Sequence, residues 1–142
     1  PSNFGNPQRV ATGFDYKKLS ILLAVLEKRA GLFLSTQNVF LNMAGGLKIE
    51  EPAVDLAVCS AIASSLAEKK VKKGFVVIGE VGLGGEIRGV GQIEKRIQEA
   101  VKLGFSNVIL PKTNYKTLKN VNEINLHPVE NVASAIELLL EE

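Results

Sequence analysis

The sequence predicts an α/β (α+β) domain in which helices pack on a mixed β-sheet. Amphipathic helical runs alternate with short apolar runs of strand type, a glycine-rich stretch supplies a tight turn, and the helical run at 92–103 feeds straight into a strand-like run at 107–110. With 142 residues, 46% hydrophobic and 23% charged, the chain can bury one core and is too short for two full-size domains. The expected division is an N-terminal arm or linker over 1–14 and one folded domain over 15–142.

The arm, PSNFGNPQRVATGF, is rich in Gly, Pro, Asn and Ser and reads as extended chain. From Asp15, a natural N-cap, Tyr16, Leu19, Leu22 or Leu23, Leu26 and Ala30 recur at helical spacing until Gly31 stops the run. Val39, Leu41 and Met43 then alternate with Phe40, Asn42 and Ala44 as in a strand that Gly45 and Gly46 end. Pro52 stands where a helix starts, and Val54, Val58, Ala61 or Ile62 and Leu66 form one face of a helix running to Ala67. Its many Ala and Ser residues let another backbone come close.

Phe75 to Ile78 is a continuous apolar run of the buried-strand type. Glu86 to Val90 is expected to pair with it, or with a neighbour, across the turn of Gly82, Gly84 and Gly85. The next helix, Gln92 to Leu103, turns Ile93, Ile97, Ala100 and Val101 inward and stops at Gly104. Asn107 to Leu110 is a buried strand closed by Pro111, Thr113 to Lys119 holds one helical turn, Glu123 to His127 is a strand, and Val132 to Leu140 is the closing helix.

Composition excludes several functions. Seventeen Lys and Arg against fifteen Asp and Glu leave a net charge of +2, so any basic patch must come from local clustering. Cys59 has no cysteine to pair with, and with the lone His127 it cannot make the three or four ligands of a structural zinc site. The longest apolar runs fall far short of the roughly 20 residues that span a bilayer, and no signal peptide opens the chain. A cytoplasmic location without membrane contact is expected. Because it starts at Pro1 without an initiator methionine, the chain is expected to be a segment of a longer protein.

The stretch GEVGLGGEIRGVG holds neither GxxxxGK[ST] nor an in-frame GxGxxG and leads into a strand, so it reads as a tight hairpin and not as a phosphate loop. Cys59, among Ala and Val with no histidine nearby in sequence, reads as a core thiol. His127 reads as a packed or strand-end histidine, and Ser60, Ser64 and Ser65 as packing or solvent-facing groups on their helix. The candidate nucleic-acid contacts are the cluster Lys69, Lys70, Lys72 and Lys73, and a second group of Arg9, Lys17 and Lys18. Aromatic residues are 6% of the chain with no Trp, which disfavours base stacking as the main binding mode.

Three segments together, NMAGGLKIEEPAVDLAV (42–58), GEVGLGGEIRGVGQIEKRIQEA (79–100) and LGFSNVILP (103–111), resemble the proteolytic domain of the Lon protease family. More narrowly, they look like the Lon-like C-terminal domain of the bacterial RadA/Sms DNA-repair family. The resemblance runs from the arm to at least Pro111, and the Gly-Glu-Val-x-Leu-x-Gly hairpin followed by a helix and Leu-Gly-Phe is specific to it. In active Lon domains the nucleophile stands in Pro-Ser-Ala-Gly, matched here by Pro52, Ala53, Val54 and Asp55, so its position holds Ala53. The catalytic lysine stands in Gly-Gly-(Ile/Leu)-Lys-Glu-Lys, matched by Gly91 to Arg96, so its position holds Glu94.

A serine–lysine dyad needs a hydroxyl to attack and an amine to take its proton, and a methyl and a carboxylate supply neither. Lys95 lies one residue on, about 100° around the helix, and is expected to point away from the Glu94 position. The resemblance therefore implies a vestigial site in a non-proteolytic scaffold, packed as a hexameric homo-oligomer, of a RadA-like protein. The complete proteins carry a zinc finger and an ATP site and use ATP with magnesium to drive branch migration on single-stranded or branched DNA. No cofactor is expected in this domain. The alternatives are a Lon-like peptidase using Ser60 or Cys59, and a domain that chiefly binds DNA.

Overall fold

A computed structural model describes residues 8–12, 14–34, 37–42, 51–119 and 121–142. The expected strand end at Met43 to Gly46, and part of the arm, lie outside the described residues. The first strand, β1 (Arg9–Thr12), falls inside the expected arm: it pairs in parallel with β2 (Val39–Asn42), and α1 (Tyr16–Arg29) crosses between them. Phe14 is buried in the core as well, so packing starts ahead of the boundary expected at residue 15. Backbone pairing, which composition does not reveal, draws these residues in.

Asp15 caps α1 as expected, its side chain accepting from the Lys17 amide at 3.1 Å. Leu19, Leu22, Leu23, Val25 and Leu26 are buried along the helix, whereas Tyr16 in its first turn is exposed. Pro52–Val54 form a short 3₁₀ turn that runs into α2 (Asp55–Ala67). The inward side of α2 is broader than the face the sequence suggested: Val58 is buried and Val54, Ile62 and Leu66 pack against the core as expected, Leu56, Cys59, Ser60 and Ala63 are buried as well, and Ala61 is exposed. α2 is apolar on most sides, so hydropathy selects no single face. Ser60 can lie inside because its hydroxyl donates to the Leu56 carbonyl at 2.7 Å.

β3 (Phe75–Val77), β6 (Asn107–Pro111) and β7 (Asn125–Val129) form a parallel sheet in the order β3-β6-β7. α3 (Ile93–Lys102) precedes β6, the short α4 (Lys112–Tyr115) follows it, and α5 (Val132–Leu139) follows β7. Successive strand residues face opposite sides. Ile109 and Val129 pack with α1, α2 and α5, while Val108 and Leu110 pack with Ile93, Ile97 and Ala100 of α3. The sheet is thus covered on both faces, which is why its strands read as continuous apolar runs.

The hairpin is made by a pair the sequence left open. Glu80–Val81 (β4) pairs with Ile87–Arg88 (β5), and Phe75–Val77 goes to the parallel sheet. Gly79 divides the two: a Cβ there would meet Ile87 Cγ2 at 2.8 Å, and its backbone bonds to Ala53 and Leu56 instead of a strand. Of the turn glycines only Gly85 has a positive φ, at 81°. A Cβ on Gly85 would also lie 2.8 Å from Arg29 Cβ, so Gly85→Ala is expected to cost about 2 kcal/mol. Gly82→Ala meets only the exposed Glu86 carboxylate, which can swing away at the loss of its exposed bonds from the Gly84 amide and Arg88, and should cost less; urea unfolding of the two variants checks the order.

Candidate functional site

Pro52 fixes the backbone where the chain enters α2, and the turn it opens is tied to the end of β3. Gly79 N–H donates to the Ala53 carbonyl at 3.0 Å, and Leu56 N–H to the Gly79 carbonyl at 3.0 Å. Ala53 is buried and presents only a methyl to an open groove of about 600 Å³ lined also by Val76, Ile78, Lys95, Arg96 and Phe105. Arg96 is committed within this groove, ion-paired with Glu51 and donating through Nε to the Gly91 carbonyl at 2.8 Å. Glu94 is exposed and lines a different groove, of about 820 Å³, with Ile97, Val101, Leu118 and Val121. One helical step separates Lys95 from Glu94 and puts them in different grooves.

Asp55, two residues after Ala53, is the most deeply buried carboxylate described, 1% exposed. It accepts from Lys18 Nζ at 3.0 Å and from the Val81 amide at 3.1 Å, joining α1, α2 and β4. Burial raises its pKa above the usual carboxylate value, against the opposing pull of Lys18 and the Val81 amide. An acidic residue inside an otherwise apolar helical run was the signal for it, and the sequence reading passed over it. Asn114 was missed too. Its side chain accepts from Val90 N–H at 2.8 Å and donates back to the Val90 carbonyl at 3.0 Å, holding the chain that enters α3.

Neither alternative nucleophile is arranged for attack. Burial, followed by the charge of Asp55, pushes the Cys59 thiol up to about 12, which leaves it protonated at neutral pH. Ser60 is 3% exposed with its hydroxyl bonded to a carbonyl. His127 stacks on Phe75 with ring centroids 5.3 Å apart and bonds to Asn107 Oδ1 at 3.0 Å, a packing role. Among the described residues no group of three or more His, Cys, Asp and Glu side chains is placed to hold a metal ion, and no helix is long and apolar enough to cross a membrane.

The seven candidate cations divide into two sets. Lys17, Lys69, Lys70 and Lys73 are exposed. Arg9, Lys18 and Lys72 serve the fold: Arg9 donates to the Leu34 carbonyl at 2.7 Å and Lys18 pairs with Asp55. Lys72 donates to the Leu138 carbonyl at 2.8 Å and lies 5.9 Å from the Phe75 ring centroid.

Residues 27–142 match the family model of the Lon protease (S16) C-terminal proteolytic domain. The chain is 48% identical over 140 residues to the DNA repair protein RadA of Listeria monocytogenes, covering 99% of this chain and 31% of that protein. It is 47% identical over 140 residues to the same-named protein of Bacillus subtilis, with coverage of 99% and 31%. For that of Streptococcus pneumoniae the identity is 45% over 137 residues, covering 96% and 33%. The chain thus spans about a third of the length of the curated relatives it matches.

Proposed function

Because the chain belongs to the family of Lon protease C-terminal proteolytic domains, we propose that it keeps the family fold without its peptidase chemistry and serves as the ring-forming scaffold of a longer, RadA-like DNA-repair ATPase. The observation that carries this reading is the methyl of Ala53 at the nucleophile position, with no hydroxyl for any base to activate. In this reading Ala53 and Glu94 are the vestigial dyad positions. Six copies pack head to tail, each presenting two different complementary faces.

DNA, single-stranded or branched, meets the exposed Lys17, Lys69, Lys70 and Lys73. A domain of net charge +2 binds it weakly alone, and the ring multiplies the contacts. ATP, magnesium and zinc belong to parts of the longer protein.

Sedimentation of the chain at several concentrations tests the scaffold, with a hexamer expected; a monomer at every concentration would overturn the ring. The loss of peptidase chemistry is tested by Ala53→Ser. With Glu94 in another groove, Arg96 held by Glu51 and Lys95, which lines the Ala53 groove, exposed to water, the new hydroxyl meets no buried amine to take its proton, and a fluorophosphonate probe should leave the variant unlabelled. Stoichiometric labelling would sink that half of the proposal.

A further inference from the structure

We propose that Leu83, at the tip of the β4–β5 hairpin, enters the groove of a second copy between α3 and residues 117–119, 121 and 123, and makes the head-to-tail contact of the ring. The inference rests on the scaffold reading and names the surfaces that reading leaves open. Leu83 is 72% exposed, and its neighbours Gly82 and Gly84 add no side chain to cover it.

The tip that carries Leu83 is held firmly. Gly82 N–H donates to the Glu86 carbonyl and Gly85 N–H to the Gly82 carbonyl, both at 2.9 Å, and Gly84 N–H donates to Glu86 Oε1 at 3.0 Å. Gly85 is packed against Arg29, and its carbonyl accepts from Val132 N–H at 2.8 Å. An apolar side chain presented by a preorganised loop loses little further freedom on docking.

The receiving groove, about 820 Å³, has an apolar floor of Ile97, Val101, Leu118 and Val121, all at least half-buried, and a rim of both signs: Glu94, Glu123, Lys102 and Lys119. The hairpin brings the matching pair, Glu86 and Arg88, both exposed beside Leu83. Arg88 and Glu86, paired with each other at 3.2 Å in the free hairpin, can exchange that exposed pairing for one with a rim carboxylate and a rim lysine, so the two surfaces are complementary in charge.

Their placement suits a contact that repeats around a ring. The hairpin is bonded to the chain just past the C-terminal end of β7, with Ile87 N–H donating to the Glu130 carbonyl at 2.8 Å. The groove runs along α3 to Lys102 and Glu123, beside the residues that lead into the N-terminal ends of β6 and β7. Five strand residues separate these ends, about 16 Å. The two surfaces share no residue, and a heterologous interface requires this.

The test uses a tip variant, Leu83→Glu, and a groove variant, Leu118→Glu, followed by sedimentation with circular dichroism as the folding control. Should Leu118→Glu fail to fold, the exposed double variant Lys102→Glu/Lys119→Glu replaces it. Each variant alone is expected to sediment as a monomer. An equimolar mixture should give a one-to-one dimer and nothing larger, because one intact tip and one intact groove remain. Variants that keep the mass of the unmodified ring, or a mixture that stays monomeric, would overturn this contact and leave the ring standing. An unmodified chain that is itself monomeric would remove the ring reading and this contact together.

Discussion

Lys18→Met is expected to destabilise the fold by about 3 kcal/mol, because it keeps the aliphatic stem and removes the charge that faces a buried carboxylate. Asp55 is 1% exposed and its other hydrogen bond comes from the Val81 amide, so without Lys18 it must either bury an uncompensated charge or take up a proton. The reciprocal change is milder. Asp55→Asn still accepts from Val81, and Lys18, whose side chain is 31% exposed, turns to water; the expected cost is about 1 kcal/mol.

The pH dependence distinguishes this explanation from lost packing. The folded-state pKa of Asp55 is raised, so its contribution to stability is fully present below the unfolded value of 3.8 and is lost as pH rises through the folded pKa. Removing Lys18 raises that pKa further and extends the loss to higher pH. The stability gap between Lys18→Met and the unmodified chain should therefore narrow as pH falls from about 7.5 to about 4.5. Urea unfolding midpoints at the two pH values measure it, and a gap that stays constant or widens in acid would refute the electrostatic account.

Leu110→Ala and Ile109→Ala are each expected to cost about 3 kcal/mol, the range for emptying a fully buried aliphatic site. β6 is the central strand of the parallel sheet, and Leu110 and Ile109 are both 0% exposed. They face opposite sides: Ile109 packs with the core of α1, α2 and α5, and Leu110 with α3. Leu103, at the C-cap of α3, is 67% exposed, and truncating it should change stability by less than about 0.5 kcal/mol. Denaturant midpoints for the three variants check the order. A small effect at Leu110 would mean that the α3 face of the sheet is not a packed core.

Most of the element order was legible in the sequence, because period and punctuation are local properties. Asp15, Gly31 and Gly104 mark helix ends, and the short apolar run at 107–110 closed by Pro111 marks a strand, whichever partners those segments find. Partner choice is not local. Nothing in Arg9–Thr12 shows that it will pair with Val39–Asn42, and the apolar run at 75–78 is equally compatible with a hairpin and with the parallel sheet it joins. The face of α2 was legible only in part: Val54, Val58, Ile62 and Leu66 pack on the core as expected, but small and apolar residues surround that helix, so hydropathy did not mark the burial of Cys59, Ser60 and Ala63.

At the candidate site, the sequence by itself determined that Pro52 to Asp55 carry no hydroxyl, and in the reading proposed above the alanine among them stands at the nucleophile position. It also determined which residues carry charge. Only the tertiary structure decided how those charges are used. Lys18 and Lys17 are neighbours with the same side chain, yet one is paired with Asp55 and the other is exposed. Glu94 and Lys95 are neighbours too, and the turn of a helix sends them into separate grooves. The reason is that residue type fixes what a side chain can do, whereas burial and partners come from segments distant in the chain, brought together only when the sheet and its two helical layers close.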